Sequence, residues 1–403
     1  MAETKCTPAI RFNGFSNEWH IEKFESLTKV NQGLQIAISQ RYTEEIDGGY
    51  FYITNEFLKE SSNSKYYILN PPESVLCNHD DVLMTRTGNT GVVVTNISGA
   101  FHNNFFKIKF DHEKIEKKFL VTFLRLPKTQ KIILASAGAS TIPDLNHSAF
   151  YNIEIIYPAL KEQGLLGEYF QNLDKLISLH QARVNKLVKL KKAMLEKMFP
   201  KDGADVPELR FKGFERTWEE KALGDISKMN SGGTPASSVK EFYTGPIPWV
   251  SISDMTEQGK FIKSSERTIS EAGLKNSSAR LFPKNTILYA MYASIGECSI
   301  ALESVSTSQA ILGIQPSDDL CTEYLYIYLT NLKEKIKLQG QQGSQANLNK
   351  GMVENFIISL PCFAEQVQIG NYFSNLDKLI TLHQTELEKL NNLKKACLEK
   401  MFV

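Results

Sequence analysis

Residues 168–199 read EYFQNLDKLISLHQARVNKLVKLKKAMLEKMF, and residues 371–402 read NYFSNLDKLITLHQTELEKLNNLKKACLEKMF. Set one above the other without a gap they agree at 22 of 32 positions, 203 residues apart in a chain of 403. A self-match at half the chain length marks a duplicated unit, and it decides how the rest is read. No Gly or Pro interrupts either copy, and Leu, Lys and Glu dominate, so each predicts a long helix. In the first copy Leu173, Leu176, Ile177, His180, Val184, Leu187, Met194 and Met198 recur at spacings of three and four. The second gives Leu376, Leu379, Ile380, His383, Leu387, Leu390, Cys397 and Met401. Such a stripe buries one face against another helix. Matched stripes predict that the copies pack on each other, chiefly through Leu173, Ile177, Val184, Leu187 and Met194 with Leu376, Ile380, Leu387 and Leu390.

The repeat extends beyond the helices. IRFNGFSNEW, with Arg11, Phe12, Gly14, Phe15 and Trp19, returns 199 residues later as LRFKGFERTW, with Arg210, Phe211, Gly213, Phe214 and Trp218. The stretch from Leu76 returns from Leu281 at an offset of 205, and DLNHSAFYNIEIIYP returns as NLNKGMVENFIISLP at 203. The two copies have kept their frame while their interiors diverged, the pattern of paired modules that do one job on different targets. Each interior reads as mixed α/β. Val82–Met84, then GNTG, then Val92–Val94 predicts strand, tight turn, strand. Ile153, Ile155 and Tyr157 alternate, as do Phe356, Ile358 and Leu360, and both runs stop at a proline before the long helix. Residues 119–134 and 322–338 predict shorter helices.

The expected fold class is α+β. Two tandem mixed α/β domains related by pseudo-twofold symmetry are separated by two long antiparallel coiled-coil helices. The expected divisions are a first domain at 1–160, a spacer helix at 161–200, a polar linker at 201–208, a second domain at 209–361 and a second spacer helix at 362–403. Connectivity sets the direction: if the helices pair, the second runs antiparallel to the first and finishes near the first domain. Some 32 helical residues at 1.5 Å each span about 48 Å. That length predicts a dumbbell whose ruler is comparable to one turn of duplex DNA, about 34–36 Å, plus the offset of the modules.

Composition removes several classes of function. No run of about 18 apolar residues exists, so no membrane span is expected. MAETKCTPAIRF lacks the regions of a signal peptide. The six cysteines form no CxxC pair and no Cys/His cluster with zinc spacing, and they read as reduced thiols in cytoplasm. A formal charge of +1 means that any nucleic-acid surface must be a local basic face. No GxxxxGK[ST] loop appears, so ATP use by this chain is not expected.

The double arrangement closely resembles the specificity subunit of type I restriction–modification systems. The residues that carry the resemblance are the RFxGFxxxW starts, GGTP at Gly232–Pro235 and PWVSISDM at Pro248–Met255. QGSQANLN at Gln342–Asn349, the LDKLIxLHQ stretches and the LKKAxLEKMF ends complete it, and it covers almost the whole chain. The resemblance implies two target recognition domains, each reading one half of a split site in double-stranded DNA. It implies paired helices that set the spacing and dock two modification subunits. Those partners would carry S-adenosylmethionine and methylate an adenine amine in each half-site. Up to two restriction subunits with ATP-driven, Mg-dependent translocase and nuclease activity would join, and this chain would hold no cofactor. The first domain departs from the pattern: it has no GGTP, and its later loop reads GASTIPDLN.

Side chains that reach base edges include Arg, Lys, Asn, Gln, Ser and Thr. In the first domain the candidates are Arg41, Lys65, Arg86 and Asn89, the last two at the strand–turn–strand tip. In the second they are Tyr292 and Ser294 in the matching region, with Thr234, Lys263 and Arg267 on other polar stretches. Each is weighed against a plain solvated surface residue. GSQANLN is expected to be a structural loop packing against the helix base. The helix surface offers Asp174, His180, Gln181 and Lys192, repeated as Asp377, His383, Gln384 and Lys395, as two equivalent docking patches; a solvated charged face is the bland reading. Asn70-Pro71-Pro72-Glu73 resembles the Asn-Pro-Pro-aromatic loop of adenine methyltransferases, but Glu73 cannot stack on a flipped base, and a turn is expected instead. No catalytic constellation and no metal site is assigned. Two rival readings remain: a stand-alone adenine methyltransferase, and a coiled-coil adaptor that does not read DNA.

Overall fold

The fold is that of a computed structural model. It describes residues 7–59, 62, 64–138, 142–201, 203–292, 294–339 and 348–403, with the backbone alone for 334–339. The chain divides into two compact units. The first is Met1–Gln181 with Thr385–Val403, and the second is Ala182–Gln384. Each unit therefore holds a globular part and one half of each long helix.

Those helices are Leu160–Lys197 (α1) and Phe363–Lys400 (α2). The strands before them run out at Pro158 and Pro361, which have no N–H to give a ladder. The inward stripe of α1 is Leu166, Phe170, Leu173, Ile177, His180, Val184, Leu187, Lys191, Met194 and Met198. That of α2 is Ile369, Phe373, Leu376, Ile380, His383, Leu387, Leu390, Lys394, Cys397 and Met401. Steps of four and three alternate throughout, the 3.5-residue repeat of a left-handed coiled coil. Leu176 and Leu379, expected in the stripe, are instead 45% and 44% exposed. A step of three from Leu173 or Leu376 is compatible with a helical face, but the seam takes the step of four to Ile177 and Ile380.

Direction is read inside each unit. In the first, Asp174 meets Lys394 at 2.6 Å and the Tyr169 hydroxyl lies 3.4 Å from Cys397 Sγ. In the second, Asp377 meets Lys191 at 2.5 Å and the Phe373 ring centroid lies 6.2 Å from that of Phe199. One number rises as the other falls, so the paired segments are antiparallel.

The RFxGFxxxW motif is a clamp on this arrangement. Arg11 donates two hydrogen bonds of 2.7 Å to Glu162 in the first turn of α1, and Arg210 donates two of 2.8 Å to Glu365 in the first turn of α2. Both carboxylates are buried to 1% exposure. A buried charge is tolerable only with such a bidentate partner. The next residue repeats the logic: the Gln163 amide donates to Lys114 O and Pro158 O, and the Gln366 amide to Asp319 O and Pro361 O. The motif tryptophans face the far helix end. Trp19 packs edge-on to Phe402, and Trp218 edge-on to Phe199. The KMF ending of each long helix thus completes the core at the base of the other repeat's globular part, and all four rings are buried. Burying each such phenylalanine contributes about 2 kcal/mol.

The globular parts share one topology. A sheet of order Thr28–Gln32, Phe105–Phe110, Val82–Thr85, Val93–Val94 in the first unit matches Ser227–Ser231, Ile311–Pro316, Ile287–Ala290, Cys298–Ala301 in the second, which adds Phe261–Ile262 at the end. A second sheet of order Tyr67–Ile68, Tyr50–Ile53, Gly99–Phe101, Leu76–Cys77 matches Arg267–Ile269, Ile247–Val250, Val305–Thr307, Leu281–Phe282. Even the parallel pair recurs, Tyr52 opposite Ala100 and Trp249 opposite Ser306. The helix expected over 119–134 is two, Lys117–Arg125 and Pro127–Ser136, because Leu126 before a proline is held extended at ψ 137. Its counterpart Thr322–Gln339 has no proline and runs on. Asn70 adopts φ +47 and Asn-Pro-Pro-Glu leads into the single turn Glu73–Val75, the turn that was expected.

Candidate nucleic-acid interface

The strand–turn–strand tip forms in both units, on the same backbone scaffold. Gly91 takes φ +93 and Gly296 φ +80, a region open to glycine, and their N–H groups close the turn onto Thr85 O at 2.8 Å and Ala290 O at 3.0 Å. Arg86 N–H donates to Asn104 O at 2.7 Å, as Met291 N–H donates to Ala310 O at 2.9 Å. A second loop docks from behind, with Leu145 N–H on Arg86 O at 2.9 Å and Leu348 N–H on Met291 O at 3.1 Å. The Asn after each leucine caps the next short helix, Asn146 Oδ1 accepting from Ala149 and Asn349 Oδ1 from Met352. That is the role of the LN pair shared by GASTIPDLN and GSQANLN. Most of the second loop, 343–347, lies outside the described residues, and with it the expected packing on the helix base.

A third loop brings in the glycines. Gly33 N–H donates to Phe105 O and Gly232 N–H to Ile311 O. A Cβ at Gly33 would meet Phe101 O at 2.2 Å, and one at Gly232 would meet Thr307 Oγ1 at 2.1 Å. The first unit therefore does possess the first glycine of GGTP, as Gly33 within QGLQ. Leu34 stands where the second unit has Gly233, whose carbonyl accepts from the Trp249 indole at 2.9 Å.

Onto these equivalent scaffolds the units mount different side chains. In the first, Asn89 is exposed at the turn. Gln32 donates to Asn103 O at 3.2 Å, and the Asn103 amide donates to Gln35 Oε1 at 3.1 Å. His102 lies beside them. Burial and the nearby Arg41 charge lower its pKa, so the neutral ring prevails near pH 7, and its Nδ1 accepts from Asn104 N–H at 3.1 Å. In the second unit the exposed groups are Thr234, Tyr292, Ser294 and Gln309. Amides and hydroxyls carry both donors and acceptors, the equipment needed to match the edges of base pairs.

The expected contacts thus sort into three kinds. Asn89, Thr234, Tyr292 and Ser294 stand exposed at the tips. Arg86 and Arg41 belong to the tip of the first unit but are already engaged. Arg86 bonds Asp144 Oδ2 at 2.7 Å and Leu145 O at 3.2 Å, over the Phe106 ring; Arg41 bonds Ile36 O at 2.7 Å between the rings of Tyr52 and Tyr66. They hold loops. Lys65, Lys263 and Arg267 are exposed on connectors and on an edge strand of the second sheet, and no described contact joins them to a tip. Sequence reading passed over Gln32, Gln35, His102, Asn103 and Gln309. Aligning QGLQ with SGGT on the single close-packed glycine would have found the first pair.

The helices present the remaining candidates. Asp174 and Asp377 are engaged with Lys394 and Lys191. His180 and His383 are half-buried on the seam, and Gln181, Gln384, Lys192 and Lys395 are exposed. Exposed leucines, not charges, are the more distinctive duplicated feature: Leu176 and Leu379, Leu179 and Leu382, Leu190 and Leu393, each 38–54% exposed.

Comparison with known proteins agrees with this architecture. The sequence model of the type I restriction modification DNA specificity domain matches residues 17–189 and again 215–392. The MjaVIII type I restriction enzyme specificity subunit of Methanocaldococcus jannaschii is 22% identical over 396 residues, 94% of this chain and 90% of that protein. The MjaIX specificity subunit of the same organism is 31% identical over 192 residues, 47% of this chain, and the match spans only 44% of that relative's length. In fold, the crystal structure of a type I restriction–modification S subunit from M. genitalium superposes with a TM-score of 0.66 at 17% identity, covering 98% of this chain and 99% of that one. No helix among the described residues is long and apolar enough to cross a membrane.

Proposed function

Because this chain belongs to the type I restriction–modification DNA specificity family, we propose that it is the non-catalytic, DNA-reading subunit of such a complex in the cytoplasm. Each unit reads one half of a bipartite site in double-stranded DNA through its three-loop tip. The long helices set the spacer between half-sites and dock two modification subunits, with up to two restriction subunits in the full assembly. S-adenosylmethionine, ATP and Mg belong to those partners. The observation that carries the reading is a contrast. The scaffolds under the two tips share most of their backbone hydrogen bonds, while the side chains they present differ. Two readers of unlike half-sites need that combination. A symmetric adaptor would keep its end surfaces alike. Leu176 and Leu179 in the first unit and Leu379 and Leu382 in the second, exposed at equivalent helix positions, are the apolar side chains offered to two copies of one partner.

Asn89 with Gln35 and Asn103, and Thr234 with Tyr292, Ser294 and Gln309, are the side chains placed to meet bases; Arg41 and Arg86 position loops. Lysines elsewhere neutralise phosphate, so affinity falls steeply with salt. The test is a methylome. The chain is co-expressed with a modification subunit in a host lacking adenine methylation, and modified adenines are read by long-read sequencing. A split motif modified on both strands only in the presence of this chain is expected, and exchanging residues 209–361 should change one half alone. Complexes that assemble but add no modified motif would favour the adaptor. Inserting about one helical turn in both long helices should lengthen the spacer.

A further inference from the structure

In the first tip a single peptide bond holds two side chains. Gln32 Nε2 donates to the carbonyl of Asn103 at 3.2 Å, and the N–H at the other end of that peptide, on Asn104, donates to His102 Nδ1 at 3.1 Å. A carbonyl only accepts and a backbone N–H only donates. Gln32 must therefore turn its NH2 toward the peptide, which leaves Oε1 facing away. His102 must use Nδ1 as an acceptor, so in the neutral ring the proton sits on Nε2. Burial, then the Arg41 charge, lowers the pKa of His102 and keeps that neutral form near pH 7. Neither His102 Nε2 nor Gln32 Oε1 has a partner among the described residues, and neither is closed off from solvent. The two residues thus present one donor and one acceptor, and neither can reverse its sense.

The amides beside them lack this anchor. Asn103 Nδ2 donates to Gln35 Oε1, but neither side chain bonds a described backbone group, so both can turn over together and exchange donor for acceptor. The second unit has no such device. Ser308 N–H donates to Val250 O as His102 N–H donates to Ile53 O, and Ser231 pairs with Leu312 as Gln32 pairs with Phe106. Serines therefore stand at both positions, and a hydroxyl rotates freely between donating and accepting.

We infer that His102 and Gln32 are specificity-determining residues of the first unit: His102 Nε2–H donates to the N7 of a purine, and Gln32 Oε1 accepts from the exocyclic amine of a different base. N7 is the acceptor that both purines turn to the major groove, and adenine and cytosine carry their amines there. Two bases are engaged because the oxygen and the hydrogen of a trans peptide point opposite ways, which sets the two side chains on opposite sides of it. The inference rests on the reading of this tip as a reader of DNA.

The test uses the full chain assembled with its modification subunits and a duplex carrying its methylated motif. Each purine of the first half-site is replaced in turn by its 7-deaza analogue, and each adenine or cytosine by purine or pyrimidin-2-one, which lack the amine. One 7-deaza position should weaken wild-type binding roughly tenfold, and His102→Phe should abolish that penalty. His102→Gln should keep it, since its oxygen can take the Asn104 N–H while its NH2 donates. Gln32→Met should abolish the penalty at one position lacking an amine and leave the 7-deaza penalty in place. A thermal melt checks that each variant folds. The inference is overturned, with DNA reading intact, if the wild type shows no 7-deaza penalty, if the penalty survives in His102→Phe or vanishes in His102→Gln, or if every amine penalty survives in Gln32→Met. A complex that binds its motif no better than a scrambled duplex would overturn the reading beneath, and the inference with it.

Discussion

The two units are the same protein at their bases and different proteins at their tips. At the base the agreement is atomic: Arg11 with Glu162 and Arg210 with Glu365, Gln163 and Gln366 with three backbone groups each, Trp19 on Phe402 and Trp218 on Phe199. At the tip most backbone hydrogen bonds still agree, but Asn89 and Gln35 are exposed in the first unit and Ser294, Thr234 and Gln309 in the second. The difference teaches where the constraint lies. A base that joins two long helices must satisfy buried charge and close-packed rings, and few sequences do so. A tip must only hold its loops in place, and the side chains beyond them are free to change what they recognise.

The sharpest way to break the comparison is at the clamps. Arg11→Ala and Arg210→Ala each leave a carboxylate buried without its partner, and each should cost about 3–5 kcal/mol in urea unfolding. The two losses should be equal within error. Unequal losses would mean that the bases, despite identical contacts, carry different loads. Next in size are the inserted rings. Phe402→Ala and Phe199→Ala each open a cavity in a buried aromatic cluster, worth about 3 kcal/mol. Because Phe402 belongs to the first unit and Phe199 to the second, each substitution should destabilise the globular part built from the other repeat.

These features were unevenly legible in the sequence. The duplicated helices, their antiparallel sense and the paired strands and turns could be read because identity at a fixed offset marks shared structure. The RFxGFxxxW motif could be seen but not explained, since nothing local tells that Arg11 reaches a glutamate 151 positions away. Leu176 was placed on the seam because a window of spacings cannot separate a 3.5-residue repeat from a helical face. Arginine at an exposed turn suits a base contact, and the sequence offers Arg86 as one; that its guanidinium also bonds Asp144 and Leu145 depends on a loop about 58 residues on. Gln35 and Asn103 were missed because they meet only through the fold.

At the tips the expected effects are smaller and act on recognition. Asn89→Ala should relax one half of the methylated motif by about 1–3 kcal/mol of discrimination and leave the other half untouched, while Ser294→Ala should do the reverse. The modified motif read from sequencing distinguishes the two. Relaxation of both halves by either change would contradict the assignment of one unit to one half-site.

The smallest effect tests a place where the bases themselves diverge. In the first unit Glu22 accepts hydrogen bonds from the Tyr157 and Ser26 hydroxyls and faces Lys114. Those bonds, Tyr157 first, lower its pKa below the ordinary carboxylate value, and burial, with the same contact second, raises that of Tyr157. At the matching ladder positions the second unit has Lys221 and Leu360, so it lacks this carboxylate. A folded-state pKa below the unfolded one means that the stabilisation is present above the unfolded value and is lost as pH falls through the folded one. The first unit should therefore lose stability through Glu22 as pH falls below the ordinary carboxylate range, a loss that Glu22→Gln abolishes by lowering stability at neutral pH to the acid level. Exchange protection of the strand Glu154–Tyr157, followed against that of Ile357–Leu360 across this range, reads the difference directly. Parallel loss in both strands that Glu22→Gln does not alter would show that the acid response is common to the two bases rather than owed to the residue that sets the first one apart.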